Sequence, residues 1–191
     1  ASRLNEMLNS LLPSIDRKVL NELQTRDIIK RKLFVIITAD RGMAGAFNTN
    51  VNKIAQQSID EFGKDKSDLI CIGKKSTSHF KLRNYNIISE YVDFWSDLNF
   101  EDAMEISSAM ISRFVNGEVD QVSVIYNEFI NVGKQEVRNN DFLPLIHDVK
   151  EESKKNIMDR IYEPSKTEVV KTLVPKYLNT QVWQFLLESF A

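Results

Sequence analysis

One cysteine and two histidines among 191 residues leave little of the material from which soft-metal sites and nucleophilic dyads are built. Cys71 stands alone in the apolar run Leu69-Ile70-Cys71-Ile72, so neither an intramolecular disulfide nor a cysteine zinc cluster is available. It reads as a buried, inert thiol. His79 and His147 lie far apart and outside any H-E-x-x-H pattern, so both read as surface residues and no metal-ligand set is expected. Long hydrophobic runs are missing too. The longest purely apolar stretch is Leu33 to Ile37, against the about 20 residues a spanning helix needs. No signal or transit peptide is visible, and the sequence as written is expected to be soluble, without a transmembrane segment. Neither charge sign dominates: Lys+Arg 25 against Asp+Glu 27 gives a net charge of -2, which removes any overall pull toward nucleic acid or anionic lipid. There is no G-x-S-x-G nucleophile elbow, no internal repeat and no low-complexity tract.

What is present is an alternation of strand and helix patterns. Lys32 to Ala39 is a β-branched, continuous run of the kind buried on both faces of a parallel sheet. Val51, Ile54, Ala55, Ile59 and Phe62 mark a helix ended by Gly63. Asp68 to Ile72 predicts a second strand, Thr77 to Leu82 a short helix and Asn86 to Val92 a third strand. Asn99 is placed to cap a helix with Ala103, Ile106, Met110 and Phe114 inward, stopped by Gly117. Gln121 to Phe129 predicts a fourth strand, joined across Gly133 to a polar edge strand from Gln135 to Phe142. The expected fold class is α/β: a mainly parallel, Rossmann-like sheet with helices on both faces, flanked by N- and C-terminal helices.

The flanking helices carry apolar stripes. Leu4, Met7, Leu8, Leu11, Leu12 and Ile15 repeat on one helical face, with Pro13 placed to kink or end it. Ser165 or Thr167 can cap a second helix bearing Val170, Leu173, Val174, Tyr177, Leu178, Val182, Phe185 and Leu186, with a kink predicted near Pro175. Trp183, Leu187 and Phe190 form a second stripe, so this helix needs cover on two sides. Both patterns read as helices that continue past the sequence.

Two glycine-bearing turns are the places where an α/β sheet would hold phosphate. After the first strand comes Asp40-Arg41-Gly42-Met43-Ala44-Gly45. A dinucleotide fingerprint needs glycine where Asp40 stands, and the aspartate puts negative charge where pyrophosphate would lie. Asp40, Arg41, Gly42 and Gly45 therefore read as a structural turn. Gly73-Lys74-Lys75-Ser76-Thr77 lacks both the earlier glycine, at Asp68, and a hydroxyl directly after the first lysine, so it reads as a solvated strand-to-helix turn. Arg26 to Lys32 is a local basic patch without interleaved aromatics, read as the lead-in to the first strand and not as an RNA surface. Asp148, Glu151 and Glu152 read as a charged loop. No catalytic constellation, cofactor site or metal cluster emerges. The competing readings are a nucleotide- or phosphate-binding α/β enzyme using the Asp40–Gly45 loop, and a receiver-like domain, for which Asp40 alone supplies too little acid.

Three segments then fall in order. Ile37-Thr38-Ala39-Asp40-Arg41-Gly42-Met43-Ala44-Gly45 is a strand followed by a D-R-G-x-x-G turn. Asn127-Glu128-Phe129-Ile130-Asn131 is followed by Leu143-Pro144-Leu145. Tyr162-Glu163-Pro164-Ser165 leads to Tyr177-Leu178-Asn179-Thr180-Gln181-Val182-Trp183 and Leu187-Glu188-Ser189. The ordered set resembles the gamma subunit of F-type ATP synthase, the central rotor stalk, with Met43-Ala44 departing from that family's common Leu-Cys pair. The resemblance implies that the two end helices wind into an antiparallel coiled-coil shaft over an α/β foot. The corresponding division is 1–26 for the N-terminal stub, 27–150 for the foot, 151–164 for a linker and 165–191 for the C-terminal stub. Leu4, Met7, Leu8 and Leu11 would pack against Val182, Trp183, Leu186 and Phe190. The implied role is torque transmission without a catalytic site or cofactor of its own. The implied partners are the alpha and beta catalytic-ring subunits, an epsilon-type small subunit and the membrane c-ring, with no nucleic acid. The implied location is peripheral to an energy-coupling membrane, on the cytoplasmic face of a bacterial inner membrane or, alternatively, the mitochondrial matrix side.

Overall fold

A computed structural model of the chain describes residues 26–40, 45–93, 95–131, 134–145 and 166–190. The elements in order are β1 (Lys32–Ile37), α1 (Gly45–Phe62), β2 (Ser67–Ile72), α2 (Lys74–Lys81), β3 (Ile87–Tyr91), α3 (Phe100–Val115), β4 (Gln121–Asn131), β5 (Lys134–Leu143) and α4 (Lys166–Phe190), with short 3₁₀ turns at Lys64–Lys66 and Trp95–Asp97. One sheet runs β3-β2-β1-β4-β5. Four strands are parallel, and β5 pairs antiparallel with β4 as the expected hairpin.

Alternation along β1 explains why it is apolar throughout. Leu33, Val35 and Ile37 point to the face covered by α3 and α4, where they join Ile106, Met110, Phe114, Leu178 and Leu186. Phe34 and Ile36 point to the opposite face and meet Val51, Ala55 and Ile59 of α1 and Phe80 of α2. Each such side chain contributes about 1.5–3 kcal/mol on burial, whereas a solvent-facing pair such as Lys81–Glu90, 3.4 Å apart, is worth about 0–1 kcal/mol. The two apolar layers hold the fold.

Several element ends differ from expectation for identifiable reasons. α2 begins at Lys74, three residues early, because the loop after β1 satisfies its first turn. On α1, Ile54 is 37% exposed, while Asn48 and Asn52 are buried with Val51, Ala55 and Ile59. Ile54 sits at the margin of that stripe, and the two asparagines are accepted because they bond loop backbone: Asn48 Oδ1 accepts the Ala39 N–H at 2.9 Å, and Asn52 Nδ2 donates to the Lys75 carbonyl at 3.2 Å. α3 matches the reading, with Ala103, Ile106, Met110 and Phe114 all buried. Its Asn99 cap accepts from the Glu101 and Asp102 N–H groups while Asp102 returns a bond to the Asn99 N–H. α4 runs unbroken through Pro175, and its stripe of Val174, Leu178, Val182, Phe185 and Leu186 is buried in the α3-side layer. The N-terminal stripe and the segment 146–165, with the proposed linker, His147 and the 162–165 motif, lie outside the described residues.

Candidate functional site

In this strand order the chain moves outward from β1 to β3 and then returns to place β4 on the other flank of β1. Open α/β sheets hold ligands outside the carboxyl ends of the strands at such a reversal. The end of β1, at Thr38 to Asp40, meets the Gly73 turn there. The first turn of α2 leaves its N–H groups to be matched from outside. The Lys74 N–H is taken by Asp40 Oδ1 at 2.8 Å, the Lys75 N–H by the Ala39 carbonyl at 3.3 Å, and the Ser76 N–H by Thr38 Oγ1 at 2.8 Å. The Thr77 N–H bonds the Gly73 carbonyl at 3.2 Å. Asp40 Oδ2 accepts the Asp93 N–H, also at 2.8 Å. A carboxylate of the chain itself therefore stands where a phosphate would, with its charge at the positive end of α2.

The approach is tight enough to dictate residue type. Gly73 has φ +93°, and a Cβ built there would lie 1.9 Å from the Thr38 carbonyl oxygen. Lys74 Nζ turns to Asp93 Oδ1, 2.5 Å away. Beside Asp40 a cleft of about 370 Å³ is lined by Ala39, Asp93, Trp95 and the end of α4 at Ser189 and Phe190. Arg41, Gly42 and the side of Gly45 facing them lie outside the described residues; α1 begins at Gly45.

The remaining candidates are occupied structurally. Burial pushes the Cys71 thiol up to about 12, so it is a poor source of thiolate. His79 is held below its ordinary value, first by burial and then by the Arg83 cation; its Nε2 lies 2.9 Å from Gln56 Oε1. The basic lead-in is pinned to the sheet base. Arg31 grips Asp68 with Nε at 2.7 Å and Nη2 at 2.5 Å, while Arg26 donates to the Phe114 carbonyl and lies over its ring. Asp120 Oδ2 accepts the N–H groups of Lys30 and Arg31. Among the described residues no group of three metal-capable side chains comes together, and no helix is long and apolar enough to cross a membrane.

Of the predicted shaft residues, Val182 and Leu186 lie in the α3-side core, whereas Trp183 packs edge-on to Phe100 and Phe190 stacks on Trp95. Their proposed partners Leu4, Met7, Leu8 and Leu11 lie outside the described residues. Sequence reasoning missed Trp95 and Phe100; the only available signal was a cluster of aromatics in a segment otherwise made of Asp, Ser, Leu and Asn. It also treated the Asp40 and Gly73 turns separately, since nothing in their spacing declares that they touch.

The class this geometry defines is a doubly wound α/β domain in which an aspartate of the chain meets the N-terminus of α2. The comparisons make it specific. The ATP synthase family model matches residues 1–191. A relative from Chloroherpeton thalassium, called ATP synthase gamma chain, is 38% identical over 205 residues, covering 100% of this chain and 67% of its own length. One of the same designation from Prosthecochloris aestuarii is 41% identical over 196 residues, covering 100% and 66%. The chain thus spans about two thirds of the length of these relatives. The cryo-EM central stalk and c-ring structure of the Tetrahymena thermophila mitochondrial ATP synthase includes a chain of the same fold, with a TM-score of 0.72 at 20% identity over 99% of this chain and 85% of that one. The chain belongs to the ATP synthase gamma chain family, whose members are non-catalytic subunits of the enzyme complex.

Proposed function

We propose that this chain is the foot of the central rotor of a proton-translocating ATP synthase. It transmits torque between a membrane ring and the catalytic subunits and so couples proton transport to ATP synthesis. The observation that carries this reading is the gamma chain match along the whole sequence. The Asp40 carboxylate supports it, because a helix end whose first N–H groups are taken by the chain itself leaves fewer donors for a phosphate. In this reading the apolar stripe Leu4, Met7, Leu8 and Leu11 packs along α4 to begin the shaft, residues 27–150 form the foot and 151–164 the linker. The shaft would enter a ring of alpha and beta subunits, and the foot would seat on an epsilon-type subunit and the c-ring. The assembly would be peripheral, on the cytoplasmic face of a bacterial inner membrane.

The test is reconstitution of the full-length chain with alpha, beta and epsilon-type subunits from the same organism. ATP-driven rotation of a probe fixed to the foot is the expected result, together with co-elution of the chain and the epsilon-type subunit as a complex. A chain that neither joins the complex nor rotates in it refutes the rotor reading. Saturable binding of ATP or NAD to the pure chain would instead favour the nucleotide-binding alternative.

A further inference from the structure

Beyond the core contacts of its buried stripe, α4 meets the foot in two aromatic pairs, one from the 3₁₀ turn Trp95–Asp97 and one from the first residue of α3. Between β3 and α3, Trp95 stacks on Phe190 with ring centroids 5.8 Å apart and planes at 10°, and Phe100 meets Trp183 edge-on at 5.9 Å and 77°. Both separations fall within the range of favourable ring pairs. Trp183 and Phe190 are seven residues apart, which places them about 10.5 Å apart along the axis and within about 20° of one azimuth. Turning α4 by one residue, about 100°, would carry both rings away from their partners together.

The connection is itself fixed at both ends. On the β3 side the Asp93 N–H is held by Asp40 Oδ2, and the Tyr91 carbonyl accepts the Gly73 N–H at 2.7 Å. On the α3 side the reciprocal Asn99–Asp102 cap locks the first turn. The rings are not there mainly for burial, since Phe190 is 60% and Phe100 42% exposed while Val182 and Leu186 already supply apolar contact to the core. Burial is non-directional; these two spaced ring pairs on the outer side of α4 add to the angular reference that Phe185 takes from Tyr126 and Phe142 in the core.

We propose that Trp95 and Phe100 form a two-point clasp that sets the rotational position of α4 on the sheet, with Asp40 as the latch that holds the clasp. They are positioning residues, and the proposal rests on the rotor reading for its purpose: torque entering the foot passes into the shaft helix through these pairs.

Two measurements test the clasp. In the reconstituted complex, with the catalytic ring fixed to a surface, the angular fluctuation of a probe on the foot reports torsional stiffness. Trp95→Ala should widen that distribution, Trp95→Phe should restore it, and Leu82→Ala, at an exposed position after α2, should leave it unchanged. An unchanged width in Trp95→Ala with rotation intact overturns the clasp, whereas failure of the unsubstituted chain to rotate refutes the rotor reading. Should Trp95→Ala not assemble, a double-mutant cycle of Trp95→Ala and Phe190→Ala on unfolding of the full-length chain decides. Coupling of about twofold or more in the equilibrium constant supports a working pair; simple additivity overturns it.

Discussion

Phe185 of α4 lies 4.6 Å, centroid to centroid, from the ring of Tyr126 on β4, and 6.4 Å from that of Phe142 on β5. The C-terminal helix is therefore built into the core of the sheet domain and is not merely laid upon it. Since Phe185 is 6% exposed, Phe185→Ala should destabilise the chain by about 3–5 kcal/mol. Chemical denaturation followed by far-UV circular dichroism checks this. A loss below about 0.5 kcal/mol, the range of surface substitutions, would mean that α4 folds independently of the sheet.

Two glycines with positive φ should respond differently to the same change. Gly117, at φ +75°, has no heavy atom within 4 Å of an added Cβ, so Gly117→Ala should cost only the left-handed backbone penalty, about 1–2 kcal/mol. Gly73→Ala adds the overlap with the Thr38 carbonyl and should exceed it, by about 1–3 kcal/mol of further strain as the α2 turn is displaced. Matched denaturation curves give the difference directly. Equal losses would mean that the β1 and β2 loops can separate freely.

Alkaline pH should weaken the fold through two buried acids. Burial, as the largest cause, pushes the Cys71 thiol and the Tyr126 phenol each up to about 12, from ordinary values of 9.0 and 10.0. Both groups stay neutral in the folded chain while the unfolded chain begins to release protons, so unfolding is favoured as pH rises. Their contribution is complete below pH 9 and is lost progressively toward about 12. Denaturation midpoints measured across that window should fall, and Cys71→Ser should flatten the first part of the decline. A thiol reagent should reach Cys71 only on unfolding.

The sheet, its hairpin and the inward faces of α3 and α4 were legible in the sequence because apolar alternation and helical periodicity act locally. Ile54 was misplaced because a stripe margin depends on what faces it, and the pairing that made Asn48 and Asn52 acceptable inside lies on other loops. At the Asp40 turn the sequence offered one local signal, an aspartate that opposes phosphate at that position. Its actual partners, Lys74 and Asp93, are 34 and 53 residues away, and no local rule connects them. Trp95 and Phe100 were invisible for the same reason: each acquires meaning only against Phe190 and Trp183.

The strand order also has a consequence during synthesis. β1 leaves the ribosome first, but its second flank is closed only when β4 pairs along Leu33–Val122, Phe34–Ser123 and onward to Ile36–Ile125. At about 5–20 residues per second, several seconds pass with one hydrogen-bonding edge of Leu33-Phe34-Val35-Ile36-Ile37 unpaired. An unpaired apolar edge is a template for association with another chain. The nascent protein should therefore be most vulnerable to aggregation between the emergence of β1 and that of β4, and a chaperone that binds short extended apolar segments would act in that interval.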